Sequence, residues 1–164
     1  MKILLLMRHA KASPSSTSIA DFDRPLIAEG KNASSHIGLS LKREIPTIDV
    51  AFSSPARRAR ETIEEVLQAA GWSLEVCADD RLYEGRALQV LEVLSEVDDR
   101  LKTILLVGHN PVLEEAVLLL TGENVHLSPG ALAHIDLEGA KFGEVSENKG
   151  TLSKVVRPKD VVED

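Results

Sequence analysis

Aromatic side chains are scarce, at three Phe, one Tyr and one Trp in 164 residues, so the core has to be built from Leu, Ile, Val and Ala. Cysteine is nearly absent as well. The lone Cys77 excludes an internal disulfide and suits a reducing, cytoplasmic setting. No export signal or membrane-length apolar run is visible, and no CxxC pair, internal repeat or long low-complexity run occurs. Excess positive charge is missing too: the formal net charge of -7 disfavours nucleic acid and acidic membranes as partners. Against that background Arg57, Arg58 and Arg60 form a local basic cluster.

The opening stretch is the most informative part of the chain. Five apolar residues, Ile3 to Met7, stop at Arg8-His9-Ala10. A short apolar run without alternation suits a strand buried on both faces, as in a parallel sheet. Arg8 and His9 then fall at the carboxyl end of a central strand, where open α/β sheets place their ligand crevice. Lys102 to Val107 repeats the pattern and ends in Gly108-His109-Asn110-Pro111. Asn110 suits a helix N-cap and Pro111 a first helical position, which puts His109 between a buried strand and a helix start that attracts anions.

Between these strands the chain alternates. Lys11 to Arg24, rich in Ser and carrying Pro14, reads as a loop bordering the same crevice. A helix is expected from about Glu29 to Arg43, with His36 on its boundary. A strand follows at Asp49 to Ser53, then a helix start with Ser54 as N-cap and Pro55 at the first position. Arg58 and Thr62 share a face near that start, whereas Arg57 and Arg60 read as solvated. Trp72 to Cys77 reads as a short strand, Leu82 to Gly85 as a loop holding Glu84, and Ala87 to Val97 as an amphipathic helix. Ala131 to Leu137 and Lys154 to Arg157 read as strands, with turns at Gly139, Gly143 and Gly150; His126 and His134 gain no role. Regular alternation of strands and helices predicts an α/β fold with a mainly parallel sheet, in one domain over residues 1–158 with a frayed tail at 159–164.

Two histidines and at least two arginines thus meet at one rim. A metal site could draw on His9, His109 and Glu84, but two guanidinium groups oppose a divalent cation and no HExxH spacing is present. A phosphate-binding module without turnover would use the arginines, yet has no need of two histidines. Phosphoryl transfer uses every part: one histidine as nucleophile, and arginines that neutralise the phosphoryl oxygens and keep the imidazole neutral.

Arg8-His9-Ala10 resembles the Arg-His-Gly signature of the histidine phosphatase superfamily, which includes the cofactor-dependent phosphoglycerate mutases. Ser54-Pro55 with Arg58-Ala59 and Thr62 resembles its second-arginine segment, and Gly108-His109 its second-histidine segment. Met7 to Ala12 and Arg24-Pro25-Leu26 are most similar to the short SixA-type phosphohistidine phosphatases. Two departures stand out: Ala10 replaces the commoner glycine, and Ile27 stands where relatives often place a capping Ser or Thr. The resemblance implies a three-layer, phosphoglycerate mutase-like sandwich with helices on both faces of the sheet. It implies hydrolysis through a phosphohistidine on His9, with Arg8, Arg58 and His109 holding the phosphoryl group and Arg24 at the rim. Arg81-Leu82-Tyr83-Glu84 resembles the segment that supplies a proton-donating glutamate in ester-cleaving members, making Glu84 the candidate general acid. No metal or other cofactor is implied. The expected substrate is a phosphohistidine protein or, alternatively, a small phosphate ester, and the chain is expected to act as a monomer.

Overall fold

The period-2 pattern hidden inside the apolar strands decides the architecture. In β1 (Lys2–Arg8), Leu4 and Leu6 point to one side of the sheet and Leu5 and Met7 to the other, all fully buried. β4 (Thr103–Gly108) does the same with Ile104 and Leu106 against Leu105 and Val107. A sheet apolar on both faces needs a helical layer on each. The computed structural model, which describes residues 2–137, 142 and 150–161, supplies both layers.

On one face lie α1 (Ala28–Glu44) and α2 (Arg57–Ala70), whose Ile37, Leu41, Ile63 and Val66 pack on Leu5, Met7 and Leu105. On the other lie α4 (Ala87–Ser95) and α5 (Val112–Thr121), whose Val90, Leu94, Leu113 and Val117 pack on Leu4, Leu6 and Ile104. The sheet is completed by β2 (Val50–Ser53), β3 (Val76–Ala78), β5 (Leu132–Leu137) and β6 (Thr151–Val156), in the order β3-β2-β4-β1-β5-β6. β1 to β4 run parallel, while β5 and β6 are antiparallel additions at one side. The fold is a mixed α/β three-layer sandwich, with helices on both faces of one six-stranded sheet.

β1 and β4 are neighbours in register, with Arg8 opposite Gly108. The chain leaves β1 for α1 on one face and β4 for α5 on the other, so the two exits diverge and open a crevice. Two glycines hold the loops at its edge. A Cβ on Gly30 would lie 2.2 Å from the Lys11 carbonyl oxygen, so only glycine lets α1 pack against the β1 exit. Gly130 sits at φ +83°, from where its N–H donates to the His9 carbonyl at 3.0 Å.

Several element boundaries differ from expectation. Ser54 does not cap α2, which starts at Arg57 after Ala56. Ser54 is instead fully buried behind the rim, accepting the Ala56 N–H at 3.1 Å. Asn110 does not cap α5 either, because its side-chain amide donates to the Leu127 carbonyl, and Pro111 takes the cap position. The third strand is shorter than expected, since Trp72 turns inward and donates its indole N–H to the Pro46 carbonyl. Glu84 ends a four-residue helix, α3 (Arg81–Glu84), rather than lying in a loop. The chain past 158 is not frayed at once: Pro158–Asp160 forms a 3-10 turn and Val161 packs on the core. The turns expected at Gly139 and Gly143 and the tail from 162 lie outside the described residues. As expected from Ile27, α1 has no side-chain cap. Among the described residues no helix is long and apolar enough to cross a membrane.

Candidate active site

His9 follows β1 directly and is nine-tenths buried. Its Nδ1 lies 2.7 Å from the Ala10 carbonyl oxygen. A carbonyl only accepts, so Nδ1 carries the proton and Nε2 keeps its lone pair. That Nε2 faces the Nε–H of Arg58 at 3.4 Å, a long and readily yielded contact. The Ala10 N–H donates to Thr62 Oγ1 at 3.0 Å, which ties the His9 backbone to α2.

His109 enters from the end of β4, its ring centroid 5.2 Å from that of His9. Its Nε2 lies 2.7 Å from Ser54 Oγ. Among the described residues that nitrogen is the only acceptor within reach of the Ser54 hydroxyl, so the hydroxyl donates to it and the His109 proton sits on Nδ1. His109 Nδ1 and Arg8 Nε are both buried and have no hydrogen-bond partner among the described residues. Buried donors rarely stay unmatched, and a phosphoryl group offers the acceptors that both require. Arg8 is steadied through its NH1, which donates to the Leu127 carbonyl at 3.1 Å.

Arg58, only 6% exposed, is gripped by the loop that leaves β1. Its NH1 donates to the Asp21 carbonyl oxygen at 2.7 Å and its NH2 to Asp21 Oδ2 at 3.2 Å. Asp21 also receives Arg24 NH1 at 2.9 Å on Oδ1 and the Tyr83 hydroxyl at 2.8 Å on Oδ2. Arg24 is further held by its Nε–H on the Ser13 carbonyl. The Tyr83 ring stands edge-on to Phe22 at 5.2 Å and to His109 at 5.6 Å. Loop, α3 and α5 entry therefore meet at one mouth.

The sequence-derived candidates divide accordingly. His9, His109 and Arg58 stand together, and Arg8 and Arg24 bear on His9 through their charge. Glu84 is exposed, and its carboxylate makes no hydrogen bond or ion pair with any described residue; its backbone N–H donates to the Asp80 carbonyl at 3.1 Å. Asp21, Tyr83 and the buried Ser54 were not anticipated as site residues. Only their folded positions reveal them, although Ser54 lies within the segment that carries Arg58. Arg57 and Arg60 are exposed, the first paired with Glu61. Among the described residues no three His, Cys, Asp or Glu side chains group in a way that could hold a metal ion.

Burial foremost, then the charges of Arg58, Arg8 and Arg24, push the His9 pKa down to about 4 against the opposing pull of the Ala10 carbonyl. Burial, then His9 and Arg58, push His109 down to about 3. For Asp21 burial acts upward, but Arg24, Tyr83 and Arg58 outweigh it and hold the carboxyl at about 2. Both histidines are thus neutral in the folded protein at neutral pH, while in the unfolded chain they titrate near 6.5. Below that value the unfolded state binds more protons, so stability is expected to fall as pH drops from about 6.5 towards 4. Thermal melts across this window should show a falling Tm in the wild type and a shallower fall in His109→Gln.

A strand-end histidine pair set among arginines on this three-layer fold defines a phosphoryl-transfer enzyme of the phosphatase class. The sequence profile of the histidine phosphatase superfamily (branch 1) matches residues 4–101. The chain belongs to that superfamily. It is 34% identical over 114 residues to an uncharacterised Mycobacterium tuberculosis protein, covering 70% of this chain and 69% of that one. It is 30% identical over 153 residues to a phosphohistidine phosphatase SixA homolog of Haemophilus influenzae, covering 84% and 90%. A structure assigned to phosphohistidine phosphatase SixA of Nakamurella multipartitia superposes with TM-score 0.84 at 29% identity, covering 96% of each chain. A protein histidine phosphatase SixA complexed with tungstate shares the fold, with TM-score 0.85 at 23% identity over 98% of this chain and 99% of that one.

Proposed function

We propose that this histidine phosphatase removes the phosphoryl group from phosphohistidine on a partner protein, through a covalent phosphohistidine at His9. The observation that carries the mechanism is the orientation of His9, with its proton fixed on Nδ1 and its Nε2 lone pair aimed at Arg58. In the first step Nε2 forms a bond to phosphorus while the substrate P–N bond breaks and its electron pair returns to the leaving imidazole. Arg8, Arg58 and the Nδ1–H of His109 bind the three phosphoryl oxygens, whose charge peaks in the transition state. Water then attacks the phosphoryl group on His9 and releases phosphate.

Two features support a protein substrate. The SixA-type relatives carry phosphohistidine phosphatase in their names. The mouth is bordered by the short 3-10 turn Asp21–Asp23 and the four-residue α3. Such an open border admits a side chain standing on a protein surface. Because guanidinium groups supply the positive charge, hydrolysis should persist in EDTA; loss on chelation, restored by Zn²⁺ or Mg²⁺, would point to metal catalysis instead.

The second reading, hydrolysis of small phosphate esters, rests on Glu84, whose exposed carboxylate is free to donate a proton once protonated. General acids contribute roughly 100- to 10,000-fold where the leaving group is a poor one. Under this reading Glu84→Gln slows alkyl phosphate hydrolysis strongly. Under the phosphohistidine reading Glu84→Gln changes phosphohistidine turnover only mildly, because a protonated imidazole leaves without further help. Parallel assays on a phosphohistidine protein, a sugar phosphate and an aryl phosphate separate the two.

A further inference from the structure

In-line displacement places the leaving group opposite the nucleophile. Here the nucleophile is the floor of the site: His9 is 9% exposed and Arg58 6%. The leaving group must therefore face the mouth. The groups waiting there are Asp21, with its side chain 49% exposed, Phe22, 38% exposed, and Tyr83. The chain has only five aromatic residues, and two of them form an edge-to-face pair at this point, 5.2 Å between centroids and 80° between planes.

The Asp21 carboxylate has about four acceptor positions. Arg24, Arg58 and Tyr83 take three of them. One position therefore remains for a donor arriving from solvent. A carboxylate with a spare acceptor beside two aromatic rings suits a flat cationic group that carries an N–H. A departing alkoxide carries no N–H and cannot use that acceptor position.

We infer that Asp21, Phe22 and Tyr83 form a leaving-group subsite that binds the protonated imidazole ring of a phosphohistidine and so selects P–N over P–O substrates. This rests on the phosphohistidine reading above and names the residues that would enforce it. The chemistry balances without an external acid. The substrate ring enters as an imidazolium, with the phosphoryl group on one nitrogen and a proton on the other, the latter held by Asp21. As the P–N bond breaks, its electron pair stays on the leaving nitrogen and the ring departs as neutral imidazole. The new bond to His9 Nε2, with Nδ1–H retained on the Ala10 carbonyl, makes the His9 ring the cation. Positive charge passes from one imidazole to the other, and no proton changes hands.

The test compares kcat/KM of the wild type, Asp21→Asn and Asp21→Glu on two probes. One is a histidine peptide phosphorylated with phosphoramidate, and the other is p-nitrophenyl phosphate. Because Asp21 also holds Arg58, both activities should drop in Asp21→Asn, and the ratio between them is the diagnostic. That ratio, phosphohistidine over ester, should fall at least about tenfold in Asp21→Asn and recover in part in Asp21→Glu, as expected for a charge-assisted hydrogen bond. Equal losses on both probes, or a larger loss on the ester, would reduce Asp21 to a positioning residue for Arg58 and overturn the subsite while leaving the phosphohistidine assignment intact. A wild type that cleaves the ester but not the peptide would overturn both together.

Discussion

His9→Ala is expected to lower turnover on every substrate by at least about 10⁴-fold, because it removes the atom to which phosphorus is transferred. The loss should sit in kcat. Arg8, Arg58 and His109 are positioned from β1, α2 and β4 respectively, so the phosphate cradle does not depend on the His9 ring. His9→Ala should accordingly still bind phosphate or tungstate, measurable by calorimetry, while forming no covalent phosphoenzyme. Near-normal turnover in this variant would make His9 a structural residue. The substitution should also relieve the acid sensitivity described above, since one of the two histidines that stay neutral in the fold is gone.

Arg58→Ala should be the next largest effect, a fall in kcat/KM of about 100- to 1,000-fold, in line with losing a main transition-state donor. Lysine should not restore it. The guanidinium divides its donors among His9 Nε2, the Asp21 carbonyl and Asp21 Oδ2, a fork that a single ammonium cannot reproduce. Removing Arg58 also removes one of the charges that hold the His9 pKa low. The His9 pKa should therefore rise towards 6.5, and the acid limb of the pH–rate profile should move to higher pH. A rate loss with an unshifted acid limb would mean that Arg58 acts only on substrate.

What could be read from the sequence, and what could not, follows from the range of each signal. Ile3 to Met7 and Thr103 to Val107 are buried on both faces, so their apolar runs announce central strands and place His9 and His109 at the strand ends. Arg58 was legible from its position in the first turn of an amphipathic helix after a strand. Helix starts were less so. Ser54 and Asn110 have the chemistry of N-caps, but each spends its side chain on a tertiary partner, His109 or the Leu127 carbonyl. Local capping rules cannot foresee a partner 55 residues away. Asp21 was hidden for the same reason, lying in a loop without periodicity whose 3-10 turn brings it to Arg58, Arg24 and Tyr83. The carboxylate that sequence did single out, Glu84, lies one residue beyond the side chain that meets His109.

The central claim is that phosphorus passes through Nε2 of His9, and trapping the intermediate tests it most directly. Enzyme quenched with alkali during turnover of a ³²P-labelled phosphohistidine protein should carry an acid-labile, alkali-stable label. Peptide mapping should place that label on His9, and ³¹P NMR of the trapped species should show the Nε2-phosphorylated isomer, because Nδ1 is committed to the Ala10 carbonyl at 2.7 Å. Label on His109, on Nδ1 of His9, or on no residue during full turnover would contradict the mechanism.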